Sequence, residues 1–201
     1  MFDRQATRWI RPAVDRMARR LLAIGVRADA LTVTGFAVGI AAALLIAGGF
    51  FFGALVAILI SRLIDALDGA VARLTMPTDR GGFLDITLDF LFYASIPLAF
   101  AVADPARNAL AAAALLAAFM GTGSSFLAFA SIAAKRGMTS TAYPNKSFYF
   151  LGGLTEAGET LAFFIAMCLW PQYFAWLAWS FCGLCVLTIA MRIYWGWLAF
   201  D

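Results

Sequence analysis

The stretch DALDGAVARLTMPTDRGGFLDITLD, residues 65–89, places five carboxylates between two apolar runs. A charged side chain inside a membrane segment costs about 2.5–3.5 kcal/mol even on insertion scales, so these acids need a reason. On a helix, Asp65 and Asp68 are three positions apart and Asp85 and Asp89 four apart, so each pair shares a face. Two helices joined by a short turn would bring the pairs together. Ala66, Gly69, Ala70 and Ala72 keep the neighbouring side chains small, which lets a ligand or a facing backbone approach closely.

Charge counting tests whether the acids are simply neutralised. Between residues 61 and 90 the acids are Asp65, Asp68, Asp79, Asp85 and Asp89, and the bases are Arg62, Arg73 and Arg80. A negative excess remains, and converging carboxylates must take up protons or bind a cation. The chain has no histidine, and its cysteines, Cys168, Cys182 and Cys185, lie far along in apolar runs. All-carboxylate ligation favours a hard ion such as Mg²⁺, Mn²⁺ or Ca²⁺. Such an ion usually completes its shell with substrate phosphates, and Arg73 can hold a phosphate oxygen in a forked contact. The substrate implied is a phosphorylated molecule that is partly lipid. Structural ion pairing and cation-coupled transport are the alternatives.

The rest of the chain sets this stretch in a membrane. Of 201 residues 63% are apolar and 13% charged, against about a quarter charged in soluble domains. Mean hydropathy is +0.85. The absence of histidine excludes Ser-His-Asp hydrolases and histidine-zinc sites. Cys182 and Cys185 have CxxC spacing, but with no second pair they read as packing residues.

Apolar segments near 30–49, 51–74, 82–103, 108–134, 147–169 and 172–198 each approach the roughly 20 residues that span hydrocarbon. The fold expected is an all-α membrane protein of six transmembrane helices over residues 27–201, preceded by an amphipathic juxtamembrane helix over 1–26. In that first segment Ile10, Val14, Met17, Leu21 and Ile24 form one stripe, opposite Arg4, Arg8, Arg11 and Arg19. A basic helix of this kind lies in the headgroup plane, and Pro12 is expected to break or kink it. Lys and Arg crowd the amino terminus (seven Arg up to Arg27), the second-to-third loop and the fourth-to-fifth loop, whereas the alternate loops carry only Arg107. By the positive-inside rule both termini and the aspartate stretch are cytoplasmic, in the inner membrane if the source is bacterial.

These residues carry a family resemblance. Asp65-x-x-Asp68-Gly69-x-x-Ala72-Arg73 followed by Gly81-x-x-x-Asp85-x-x-x-Asp89 resembles the signature of the CDP-alcohol phosphotransferases, integral membrane enzymes of phospholipid synthesis. The layout, an amphipathic helix and then six spans, is similar too. Two departures stand out. Seven residues separate Arg73 from Gly81 where the family usually has eight, and Ala28-Asp29-Ala30-Leu31-Thr32 replaces the Pro-Asn-x-x-Thr of many relatives. Asp29 and Thr32 are therefore either nucleotide-side residues or a helix start.

The resemblance implies that Asp65, Asp68, Asp85 and Asp89 hold one or two divalent ions, Mg²⁺ or Mn²⁺, against the pyrophosphate of a CDP-linked donor. Gly69, Ala72, Arg73 and Gly81 would face the nucleotide, and Asp89 would be the general base toward an acceptor alcohol. CDP-diacylglycerol with a small alcohol is the pair implied first; a soluble CDP-alcohol with diacylglycerol is the variant. Membrane lipid as surroundings, no nucleic-acid partner and a homodimer follow from the same resemblance. Outside the motif, Glu156 and Glu159 sit in the fifth apolar segment, where they reach the acceptor, pair with an Arg or cap a broken helix. Lys146, with Ser147, either binds an acceptor phosphate or snorkels to the interface.

Overall fold

A computed structural model describes residues 2–138 and 154–201, which contain helices and no strand. In chain order the helices are α1 (Phe2–Ala23), α2 (Ala28–Ala47), α3 (Phe51–Leu74), α4 (Asp79–Ala103), α5 (Pro105–Lys135), α6 (Ala157–Leu169) and α7 (Phe174–Phe200), with a short 3-10 turn at Pro171–Tyr173. Four of them, α2, α4, α5 and α7 with its preceding turn, are long and apolar enough to cross a membrane. The all-helical expectation holds. α3 has the length, 24 residues, but from its middle onward it carries Arg62, Asp65, Asp68 and Arg73. α6 has only 13 residues and begins at Ala157, ten positions after the apolar segment begins; residues 139–153 lie outside the described residues.

Local chemistry explains the helix starts. Thr78 caps α4, its Oγ1 accepting from the Gly81 N–H at 3.0 Å. Asp104 caps α5 by accepting from the Arg107 N–H, and Pro105 follows with its φ already set for a helix. Gly49, at φ +80°, makes the tight turn between α2 and α3. α1 runs unbroken through Pro12, against expectation. Pro12 is on the exposed side of the helix, where solvent or headgroups can serve the carbonyl it leaves without a partner. The buried line of α1 is Val14 and Ala18, packed with Leu67, Ala70 and Val71 of α3, while Met17 and Ile24 are exposed.

α2 packs on both α3 and α4, and α5 packs on α4 and α7. Small residues permit these approaches. A Cβ at Gly39 of α2 would lie 2.5 Å from the ring of Phe92 on α4, and one at Gly121 of α5 would lie 2.5 Å from Ile189 on α7. Ser61 of α3 donates to the Gly35 carbonyl of α2 at 2.7 Å. The main core lies toward one end of the bundle, where Phe100, Phe164, Phe174 and Phe181 are fully buried. The acids lie toward the other.

Candidate active site

The last turns of α3 and the first turns of α4 face each other across a four-residue connection, Thr75 to Thr78. That short link brings the two aspartate pairs onto one site. Carboxylate oxygens of Asp65, Asp68 and Asp85 all lie within 4.8 Å of one another. Asp68 is 5% exposed, and its Oδ2 is buried without a hydrogen-bond partner among the described residues. A buried carboxylate oxygen left unpaired is costly, and two more carboxylates beside it raise the cost. A hard divalent cation answers both, so these three residues fit a metal site.

Asp89 sits differently. Its Oδ1 accepts from Arg62 Nη1 at 2.7 Å, and the same nitrogen is 3.5 Å from Asp65 Oδ1. Of the four expected metal ligands, three converge and the fourth is held by an arginine. The sequence reading counted Arg62 as charge without giving it a role. The signal was there: an arginine three residues before Asp65 on a membrane helix shares the aspartates' face.

A cavity of about 710 Å³ opens beside the carboxylates, within the usual range of small-molecule sites. Its wall includes Asp29, Thr32, Asp68, Gly69, Ala72, Arg73, Gly81, Asp85 and Asp89. Asp65 joins through the carboxylate cluster rather than through the wall. Arg73 is exposed and makes no ion pair among the described residues. A Cβ on Gly69 would sit 3.3 Å from the Arg73 guanidinium, so glycine there leaves that group its room. Asp29, in the first turn of α2, takes an ion pair from Arg80 at 2.6 Å, and Thr32 is buried, donating to the Ala28 carbonyl. Gly81 has its N–H on Thr78, and a Cβ there would meet Asp29 Oδ1 at 3.3 Å. Its bareness lets α2 and α4 close on each other at the cavity mouth.

Glu156 is the N-cap of α6 in a capping box, with the Glu159 carboxylate accepting from the Glu156 N–H at 3.1 Å. It is not in the cavity wall. Lys146 and Ser147 lie outside the described residues. Two buried polar residues of the last helix, Thr188 and Arg192, went unread inside its apolar run. Thr188 accepts from both the N–H and the hydroxyl of Thr155, and Arg192 donates to the Thr122 carbonyl at 2.7 Å. Cys168, Cys182 and Cys185 are free thiols, as the packing reading expected.

Against known protein families, residues 26–190 match the model for the CDP-alcohol phosphatidyltransferases. The chain belongs to the CDP-alcohol phosphatidyltransferase family. It is therefore a phosphotransferase, a membrane enzyme of phospholipid synthesis. Within the family's reach it is 51% identical over 198 residues to the inner membrane protein YnjF of Escherichia coli, covering 98% of this chain and 96% of that one. It is 34% identical over 92 residues to the archaetidylinositol phosphate synthase of Pyrococcus horikoshii, a match of 43% of this chain and 49% of that protein. The fold superposes at a TM-score of 0.73 on the crystal structure of Mycobacterium tuberculosis phosphatidylinositol phosphate synthase with CDP-DAG bound, with 23% identity, 92% of this chain and 93% of that chain covered. The same enzyme's complex with manganese and citrate gives 0.72.

Proposed function

We propose that this family member transfers a phosphatidyl group from CDP-diacylglycerol to a small alcohol, releasing CMP. The observation that carries the reading is the convergence of Asp65, Asp68 and Asp85, one oxygen of Asp68 buried and unpartnered, beside a cavity bordered by Arg73 and Asp89. Asp65, Asp68 and Asp85 would hold Mg²⁺ or Mn²⁺, one ion or two, with Asp89 at their edge. When bound, such an ion neutralises phosphate oxygens and the charge gathering on the departing CMP.

The chain's own residues do the rest. Arg73 takes a phosphate oxygen in a forked contact, and Gly69 and Ala72 give the nucleotide a surface with no bulky side chain. Asp29 and Thr32 border the same cavity at the start of α2, on the nucleotide side. Asp89 accepts the proton of the acceptor hydroxyl as its oxygen bonds to the phosphorus next to the lipid group. The bond from that phosphorus to the bridging oxygen breaks, and CMP leaves with the electron pair.

In the same reading α2 to α7 form six spans over residues 27–201, with the helix of residues 1–26 lying along the headgroups. Both termini and the cavity face the cytoplasm, in the inner membrane, as the lysine and arginine distribution and the name of the Escherichia coli relative support. The mycobacterial neighbour's bound CDP-DAG and manganese support the donor and the ion class. The working unit is a homodimer. Glu156, committed to its helix cap, and Lys146 remain the proposed contacts to the acceptor from outside the motif.

The test is CMP release by purified protein with Mg²⁺ or Mn²⁺, CDP-diacylglycerol and a panel of small alcohols, run on wild type, Asp89→Asn and Asp68→Asn. Wild type should turn over with at least one alcohol and both variants should be nearly inert. Undiminished release in both variants sinks the assignment.

A further inference from the structure

Arg62 is an arginine in a membrane helix with only 13% of its side chain exposed, and the metal-and-nucleotide chemistry above gives it no task. Both of its terminal nitrogens are held, while its Nε is buried without a hydrogen-bond partner among the described residues. Nη1 donates to Asp89 Oδ1 at 2.7 Å and lies 3.5 Å from Asp65 Oδ1. Nη2 donates to Ser61 Oγ at 3.3 Å, and Ser61 is itself tied to the Gly35 carbonyl of α2. The guanidinium carbon stands 4.1 Å above the Phe92 ring, whose other surroundings are packed tightly enough that a Cβ at Gly39 would touch it. A planar fork stacked on an aromatic ring and held at both ends is fixed in place as a lysine ammonium cannot be. The fork joins α3, which carries Asp65 and Asp68, to α4, which carries Asp85 and Asp89.

We propose that Arg62 is a positioning residue for the transfer reaction: it sets the Asp89 carboxylate at a fixed place relative to the carboxylate cluster, through one nitrogen shared by Asp89 and Asp65. It is not in the cavity wall and acts through Asp89, which is. Asp89 lines the cavity while one of its oxygens is held, so the carboxylate cannot swing into the cluster or away from the acceptor. A misplacement of about 1 Å in a reacting group can cost on the order of a hundredfold in rate. This inference rests on the proposed role of Asp89, and its test separates the two.

Arg62→Lys and Arg62→Gln are compared with wild type in the full-length, detergent-purified protein. CMP release gives kcat and the donor KM, electron paramagnetic resonance gives Mn²⁺ binding without substrate, and melting temperatures are read with and without Asp89→Asn. Expected are a kcat at least 30-fold lower for Gln and fivefold lower for Lys, with donor KM and Mn²⁺ affinity within threefold of wild type or tighter. In the Arg62→Gln background, Asp89→Asn should raise the melting temperature, because it removes a carboxylate that has lost its partner. A smaller kcat loss, Mn²⁺ binding more than threefold weaker in Arg62→Lys, or a lower melting temperature on adding Asp89→Asn would overturn the proposal. If wild type releases no CMP from any donor, the proposed function fails by itself. The melting and Mn²⁺ measurements then decide whether Arg62 holds Asp89.

Discussion

The two ends of the helical bundle are built on opposite principles. At one end Phe100, Phe164, Phe174 and Phe181 are fully buried, with Phe100 stacked on Phe174 at 4.4 Å and Phe163 on Phe181 at 4.4 Å. The rings there pack on one another and on the surrounding apolar side chains. At the other end Asp65, Asp68 and Asp85 crowd together, and one buried oxygen has no partner among the described residues. Phe92 sits at the boundary, one face under Arg62 and its edges against Phe164 and Gly39. The packed end holds the helices so that the strained end can keep like charges together until a cation and phosphates arrive. Stability and chemistry should therefore separate by position along the same helices.

Substitutions can break or sharpen that contrast. The largest effect is expected from Asp89→Asn: kcat for CMP release falls about 10²–10⁴-fold, the range for losing a general base, with little change in melting temperature, because the asparagine oxygen can still accept from Arg62 and Asp65 stays beside it. A melting temperature several degrees lower would place Asp89 in the scaffold instead. Phe164→Ala, at the packed end, should do the reverse. In a water-soluble core it would cost about 3–5 kcal/mol. Because lipid is nearly as apolar as the protein interior, the cavity part of that cost persists more than the transfer part, leaving about 2 kcal/mol. A denaturation curve in detergent reads the loss, and kcat of the folded fraction should stay within twofold. Thr78→Ala should be mildest, about 1 kcal/mol for a lost N-cap, and it tests the cavity mouth. Since Thr78 holds the Gly81 N–H beside Asp29, the donor KM should rise before kcat falls.

Much of the site was readable before the fold was known, because its logic is periodic. Asp65 with Asp68, and Asp85 with Asp89, fall on shared faces by helical spacing alone, and the Arg73-to-Gly81 stretch is too short to separate them. Several helix boundaries are legible in turn chemistry: Gly48-Gly49, Pro77, Asp104-Pro105 and Pro171 each fall at the start or end of a helix, whereas Gly81 and Gly82 lie inside α4. Spacing puts Arg62 on the face of Asp65, but charge counting cannot say which of three arginines reaches Asp89 on the next helix. Phe92, on the next helix, decides that by giving the guanidinium a face to stack on. Pro12 misled because a missing N–H is costly only where the freed carbonyl is buried, and α1 lies at the surface there. Glu156 was read as open to acceptor, Arg or cap; its pairing with Glu159, three residues on, is a capping box that spacing already allowed. Arg192 and Thr188 were hidden in the apolar run 172–198, where spacing alone does not show which polar residues turn inward.

The central claim is that three converging carboxylates are a divalent-cation site at which a CDP-linked donor is split. Its most direct test is one preparation of purified protein, treated with chelator and then replenished with Mn²⁺, in which CMP and the new phospholipid are measured together. The account predicts no release without the ion, equimolar CMP and lipid product once it returns, and loss of both in Asp68→Asn. CMP release that continues in chelator, or that survives Asp68→Asn, would contradict it.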